Sequence, residues 1–105
     1  MPESDGPVPI ICRYRVKPGK QKQFEDLLAG HWKTLHDAGL ATDDPARVFR
    51  AGDKAGNCAF IEMFSWKTAA SAQTAHETPE VMRLWEPMGA LCQDMEFWNV
   101  EALNG

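Results

Sequence analysis

The sequence is short of several things, and each shortage removes a class of function. Cysteine is scarce: Cys12, Cys58 and Cys92 are odd in number, widely spaced and never paired as CxxC, so neither a disulfide framework nor a zinc knuckle is indicated. A surplus of positive charge is missing too. Eleven Lys and Arg stand against 15 Asp and Glu, leaving a net charge of −4, the wrong balance for a phosphate-binding surface. The early basic cluster (Arg13, Arg15, Lys17, Lys20, Lys22) is followed at once by Glu25 and Asp26, and reads as one strand face and a solvated helix start. Nucleic acid is therefore not an expected partner. No stretch approaches the ~18 apolar residues of a membrane span, and no charged N-terminal segment runs into an apolar one. Cytoplasmic residence without a membrane partner is the expectation. Glycine-rich phosphate loops, HxH and HExxH are absent, and His31 and His36 are spaced off a shared helix face, so no metal site and no cofactor is expected.

What remains is ordinary globular material. Apolar residues make up 44% and charged residues 25% of 105 residues, enough for one domain with one core. Residues 1–7 read as a flexible lead and 8–105 as the single domain. A domain this small gains from a second subunit that covers more apolar surface.

Periodicity supplies the elements. After Pro9 the residues alternate, with Ile10, Cys12, Tyr14 and Val16 on one face and Ile11, Arg13 and Arg15 on the other, a strand closed by the Lys17-Pro18-Gly19 turn. From Lys20 the period becomes helical: Phe24, Leu27, Leu28, His31 and Leu35 form one stripe that stops at Ala38-Gly39. Gly30, inside that helix, suggests a close backbone approach or room left for a ligand, with packing preferred. Ala41 to Ala46 reads as a loop, Arg47 to Ala51 as a short strand, and 52–57 as a hairpin connection. Cys58 to Trp66 is the strongest strand, apolar on both faces and hence central. Lys67 to His76 reads as helix with Thr68 as N-cap. A second segment is capped by Thr78 with Pro79 at its first position, carries Val81, Leu84, Trp85, Met88 and Leu91 on one face, and is bent by Pro87. Met95 to Glu101 alternates again as the last strand.

The order β-α-β-β-α-β predicts an α+β fold of ferredoxin-like type: two right-handed βαβ units, a four-stranded antiparallel sheet, and helices on one face. The other face keeps apolar side chains with no layer over it. The natural cover is a second copy, sheet against sheet, giving a homodimeric α+β barrel.

The first strand with its Lys17-Pro18-Gly19 turn, the Glu62 to Trp66 strand end, Ala75-His76 followed by Thr78-Pro79-Glu80-Val81-Met82, and the terminal Trp98 strand resemble the antibiotic-biosynthesis-monooxygenase-like family of dimeric α+β barrels. The resemblance spans roughly residues 9 to 102. It implies a dimer and, among the family's activities, a cofactor-independent monooxygenase acting on a quinol or anthrone. The haem-degrading branch uses an Asn on the first strand and a Trp/His pair on the second helix; an ungapped match places Cys12, Ala75 and Trp85 there, and none fits.

Such an oxygenase needs an apolar pocket for a flat aromatic, a base of near-neutral pKa and donors for a developing oxyanion. Phe64, Trp66 and Trp85 are candidate walls, His76 and His31 candidate bases, Tyr14 a candidate donor, and an Arg of the first strand a candidate anion clamp. Each has a plainer reading. The tryptophans serve equally as core anchors, His31 as a buried histidine with a satisfied hydrogen bond, and His76 as a structural residue at a pocket edge. Tyr14 can be interior, and Arg13 and Arg15 can meet acidic partners across a dimer. Glu62, the odd polar residue among Phe60, Phe64 and Trp66, is half of an ion pair or a functional acid, the ion pair being preferred. Cys12 is expected to be inert. Beside the enzyme stands a second reading: a non-catalytic dimeric module that binds a small hydrophobic or aromatic molecule, or simply assembles.

Overall fold

A computed structural model describes residues 6–52, 55–101 and 103. The elements run β1 (Val8–Val16), α1 (Gln21–Leu28), α2 (His31–Asp37), β2 (Arg47–Gly52), β3 (Cys58–Trp66), α3 (Ser71–His76), α4 (Pro79–Ala90) and β4 (Cys92–Asn99). They build one antiparallel sheet in the order β2-β3-β1-β4, the ferredoxin-like arrangement expected from the alternation of periods. Most of the expected lead (residues 1–5) and the tip of the β2–β3 connection (residues 53 and 54) lie outside the described residues.

Pairing fixes which side chains share a face. Tyr14 lies opposite Phe60 and Met95, and Cys12 opposite Glu62 and Phe97. These residues, with Ile10, Phe64 and Trp66, look toward the helices. There Phe24, Leu28, Leu35, Ala75, Val81 and Met88 meet them in one continuous core. On the other face, Ile11 lies between Met63 and Trp98, and Arg13 between Ile61 and Glu96. No element of the described chain covers that side: Trp98 is 46% exposed, Phe49 42% and Met63 37%.

Several local expectations are corrected. The first helix is two, broken at Ala29-Gly30, where Gly30 becomes the residue preceding α2 and its carbonyl accepts from the Thr34 hydroxyl. Neither a backbone nor a ligand-sized demand explains Gly30, because a Cβ there would meet nothing within 4 Å and its φ of −101° is open to any residue. The break re-aims the apolar stripe, so that Phe24 and Leu28 pack from α1 while His31 and Leu35 pack from α2. Gly39 does end α2 in the left-handed region (φ 78°), the conformation for which glycine is suited.

Thr68 caps nothing, since α3 begins at Ser71, whose hydroxyl accepts from the Thr68 backbone N–H. Thr78 does precede α4 with Pro79 at its first position, but its hydroxyl turns back to the Thr74 carbonyl instead of capping. Leu40 to Thr42 is not free loop: Ala41 is fully buried and bridges Trp66, and the Lys67 N–H donates to the Leu40 carbonyl. The last strand starts at Cys92, three residues earlier than alternation suggested, across an irregularity between Arg15 and Val16 in its pairing with β1.

Candidate functional site

Between the helix-facing side of β1, β3 and β4 and the helices α2, α3 and α4 lies a cavity of about 460 Å³. The candidate walls, bases and donor named from the sequence line it: Tyr14 from β1, His31 from α2, Phe64 and Trp66 from β3, His76 from α3 and Trp85 from α4. Small residues leave room on the helical wall, notably Ala72 and Gly89, while Met88, Met95 and Ile10 complete an apolar lining. His76, Phe97 and Asn99 are exposed and stand at the mouth. The aromatic walls meet edge to face, with centroids 5.1 Å apart for Phe64 and Trp66 and 6.5 Å for Trp66 and Trp85, so the two tryptophans border the cavity without filling it.

At one end of this cavity two lining residues, Tyr14 and His31, meet a carboxylate buried behind them. Glu62 is 0% exposed and His31 3%. The Glu62 carboxylate accepts from the Tyr14 hydroxyl at 2.7 Å and lies 2.8 and 2.9 Å from His31 Nδ1. On its far side, His31 Nε2 is 2.8 Å from Trp85 Nε1. An indole N–H can only donate, so Nε2 must accept, and a neutral imidazole that accepts at Nε2 carries its hydrogen on Nδ1. That hydrogen points at Glu62, whose carboxyl oxygens accept it. One donor identity thus fixes the tautomer of His31 and the direction of the bonds from Trp85 through His31 to Glu62.

Burial, and next the Glu62 charge, push the Tyr14 phenol well above its ordinary range, so Tyr14 stays a donor. The same two causes push the Cys12 thiol up to about 12, which leaves no thiolate at neutral pH. Sequence reasoning foresaw that Glu62 needs a partner but looked for a cation. The partners are a histidine and a tyrosine, 31 and 48 residues away along the chain. The signal available was the coincidence of one carboxylate and one histidine, each alone on an apolar face. Trp66 Nε1 is buried with no hydrogen-bond partner.

The expectation that an arginine of β1 steadies an anion in the pocket is overturned. Arg13 and Arg15 project from the opposite face of the sheet, where Arg13 Nη2 pairs with Glu96 at 2.6 Å and Arg15 Nη1 with Asp94 at 3.4 Å within the same chain. Among the described residues no three His, Cys, Asp or Glu side chains are grouped so as to hold a metal ion. Also among them, no helix is long and apolar enough to cross a membrane.

No family model and no curated protein sequence matches the chain. Solved structures do. An antibiotic biosynthesis monooxygenase superposes with a TM-score of 0.71 at 18% identity, over 91% of this chain and 98% of its own. SnoaB, a cofactor-independent oxygenase from Streptomyces nogalater, gives 0.68 at 14% identity, over 95% and 99%. A protein of Pseudomonas aeruginosa gives 0.70 at 16% identity, over 95% and 97%. The chain thus has the α+β fold of the antibiotic biosynthesis monooxygenases over nearly its whole length.

Proposed function

We propose that the protein is a cofactor-independent monooxygenase acting on a small, flat, electron-rich aromatic such as a quinol or anthrone. The observation that carries this is the His31–Glu62 pair at the inner end of an apolar cavity: a neutral imidazole backed by a buried carboxylate, which steadies the positive charge formed when the imidazole accepts a proton. Tyr14, held to the same carboxylate, fixes its orientation. A substrate seated against Phe64, Trp66 and Trp85 gives its proton to His31. The substrate anion passes one electron to dioxygen, the resulting radical pair combines to a peroxide, and loss of water leaves a carbonyl. For an anthrone, which presents a hydroxyl to His31 as its anthrol tautomer, the overall balance is one CH2 and one O2 converted to one C=O and one H2O, and the electrons come from the substrate itself. His76, at the mouth, is placed to exchange the proton with solvent.

A second copy of the chain, laid across Ile11, Phe49, Ile61, Met63 and Trp98, is proposed to cover the open sheet face, as the resemblance also implies.

Oxygen uptake with a panel of quinols and anthrones tests the activity. His31→Gln, which keeps a donor toward Glu62, should lower kcat about a hundredfold or more, and His76→Ala less than tenfold. Uptake no faster than buffer across the panel defeats the enzyme reading. One observation favours a binding module instead: both ring nitrogens of His31 are already occupied within the protein. On that reading ligands bind, and there is no turnover for His31→Gln to abolish.

A further inference from the structure

The hydrogen bond between Trp85 and His31 raises a specific difficulty for any chemistry at this base, and its resolution defines what the cavity accepts. His31 has one lone pair able to take a proton, on Nε2, and the Trp85 indole N–H occupies it at 2.8 Å. Nδ1 is turned to Glu62 and cannot serve. We propose that Trp85 is a latch on the base: a ligand engages His31 only by bringing its own O–H or N–H donor to Nε2 in exchange for the indole. The site therefore selects hydroxylated aromatics over isosteres that have only acceptors. This rests on the reading of His31 as the base.

The surroundings of Trp85 fit a movable group. His31 and Glu62 are buried in the core, whereas Trp85 is only half-buried and borders the cavity on one side. Its other ring contacts are edge-to-face, at centroid separations of 4.9 Å to His76, itself exposed, and 6.5 Å to Trp66. Pro87, two residues on, has no N–H for the Arg83 carbonyl, so α4 lacks one of its internal hydrogen bonds at the turn that carries Trp85.

The exchange is asymmetric in chemistry. A phenolic hydroxyl replaces the indole N–H at Nε2 like for like. An ether or a quinone carbonyl offers only lone pairs, and placing one there would leave Nε2 unpaired in an apolar site. A phenol with a free para carbon therefore opens the latch, and the quinone formed from it by uptake of one O2 and release of one H2O has only carbonyls and cannot hold it open. The returning indole then favours product departure. Trp85 acts through His31 and is a positioning residue.

The test uses two probes of one shape, 2-naphthol and 2-methoxynaphthalene, with dioxygen excluded so that neither is turned over, and the indole 1H–15N NMR signal of Trp85, assigned through its proximity to His31. The Met88 and Met95 methyl signals report cavity occupancy independently. 2-Naphthol should move the Trp85 N–H signal away from its hydrogen-bonded position and speed its exchange with water; 2-methoxynaphthalene should shift the methionine methyls and leave that signal in place. Trp85→Phe should tighten 2-naphthol about fivefold and the ether less, because only the former competes with the indole. A methyl shift by 2-naphthol with the Trp85 signal unmoved, or equal tightening of both probes, overturns the latch and leaves the cavity reading standing. If neither probe moves the methionine methyls, the cavity reading falls and takes the latch with it. The wild-type spectra decide even if Trp85→Phe does not fold.

Discussion

The two faces of the one sheet are built from interleaved residues of the same strands, yet they handle polarity in opposite ways. On the helix side, Tyr14 and Glu62 sit among Cys12, Phe60, Phe64 and Trp66, and every polar atom of that pair is tied into a buried chain ending at Trp85. On the open side the charged residues of β1 and β4 are Arg13, Arg15, Asp94 and Glu96. They form half-exposed ion pairs beside an uncovered apolar strip of Ile11, Phe49, Ile61, Met63 and Trp98. A buried carboxylate demands partners of fixed geometry, whereas exposed ion pairs contribute little and tolerate rearrangement. The first face can hold a reacting group in one protonation state. The second is suited to association.

Mutations separate the faces. Leu35, with no exposed surface beneath the helices, should be the costliest: Leu35→Ala is expected to lower unfolding free energy by about 3 kcal/mol in urea titrations. Trp98→Ala on the open side should leave the unfolding midpoint of dilute protein almost unchanged while weakening the proposed self-association about thirtyfold, near 2 kcal/mol, in sedimentation equilibrium. A wild-type protein that stays a single subunit at micromolar concentration would end the association argument.

The covered face also predicts a base-limited stability. Burial, followed by the Glu62 charge for Cys12 and the Asp94 charge for Cys92, raises these thiols from 9.0 to about 12 and about 11. Above pH 9 the unfolded chain loses these protons while the folded chain keeps them, so the unfolded state binds fewer protons and stability falls as pH rises. The loss is about 1.4 kcal/mol per pH unit for Cys12 and smaller for Cys92, the less deeply buried of the two, and it is absent below the unfolded value. Denaturation midpoints between about pH 8 and pH 11 should show this slope, and Cys12→Ala should reduce it. Smallest of all is Gly30→Ala at the α1–α2 break. With nothing within 4 Å of the added Cβ, it should change stability by less than about 1 kcal/mol, in the stabilising direction, by thermal unfolding.

Strand alternation was legible because it is local: β3 runs from Cys58 to Trp66 as the sequence suggests, with Phe60, Glu62, Phe64 and Trp66 sharing a face. The helix stripe was legible too, but its break was not. A helix interrupted at Ala29-Gly30 keeps nearly the same spacing of apolar residues as a continuous one, so periodicity alone misses the change of direction. The start of β4 at Cys92 was hidden because Cys92, Gln93 and Asp94 carry no alternation of their own and are recruited by pairing with β1. At the site, the aromatic and titratable candidates could be named singly. That Glu62 holds His31 and Tyr14, and that Arg13 and Arg15 turn away to Glu96 and Asp94, depends on the neighbours folding brings.

The order of amino acids by itself determined the periods, the order of elements and the surplus of apolar surface on a sheet with helices for one side, since each of these follows from residues a few positions apart. Tertiary structure alone decided which histidine is buried, which nitrogen carries its hydrogen and what caps the other. Those depend on atoms from β1, α2, β3 and α4 meeting within hydrogen-bond distance, and a directional bond has no signature in a sequence until both of its ends are in place.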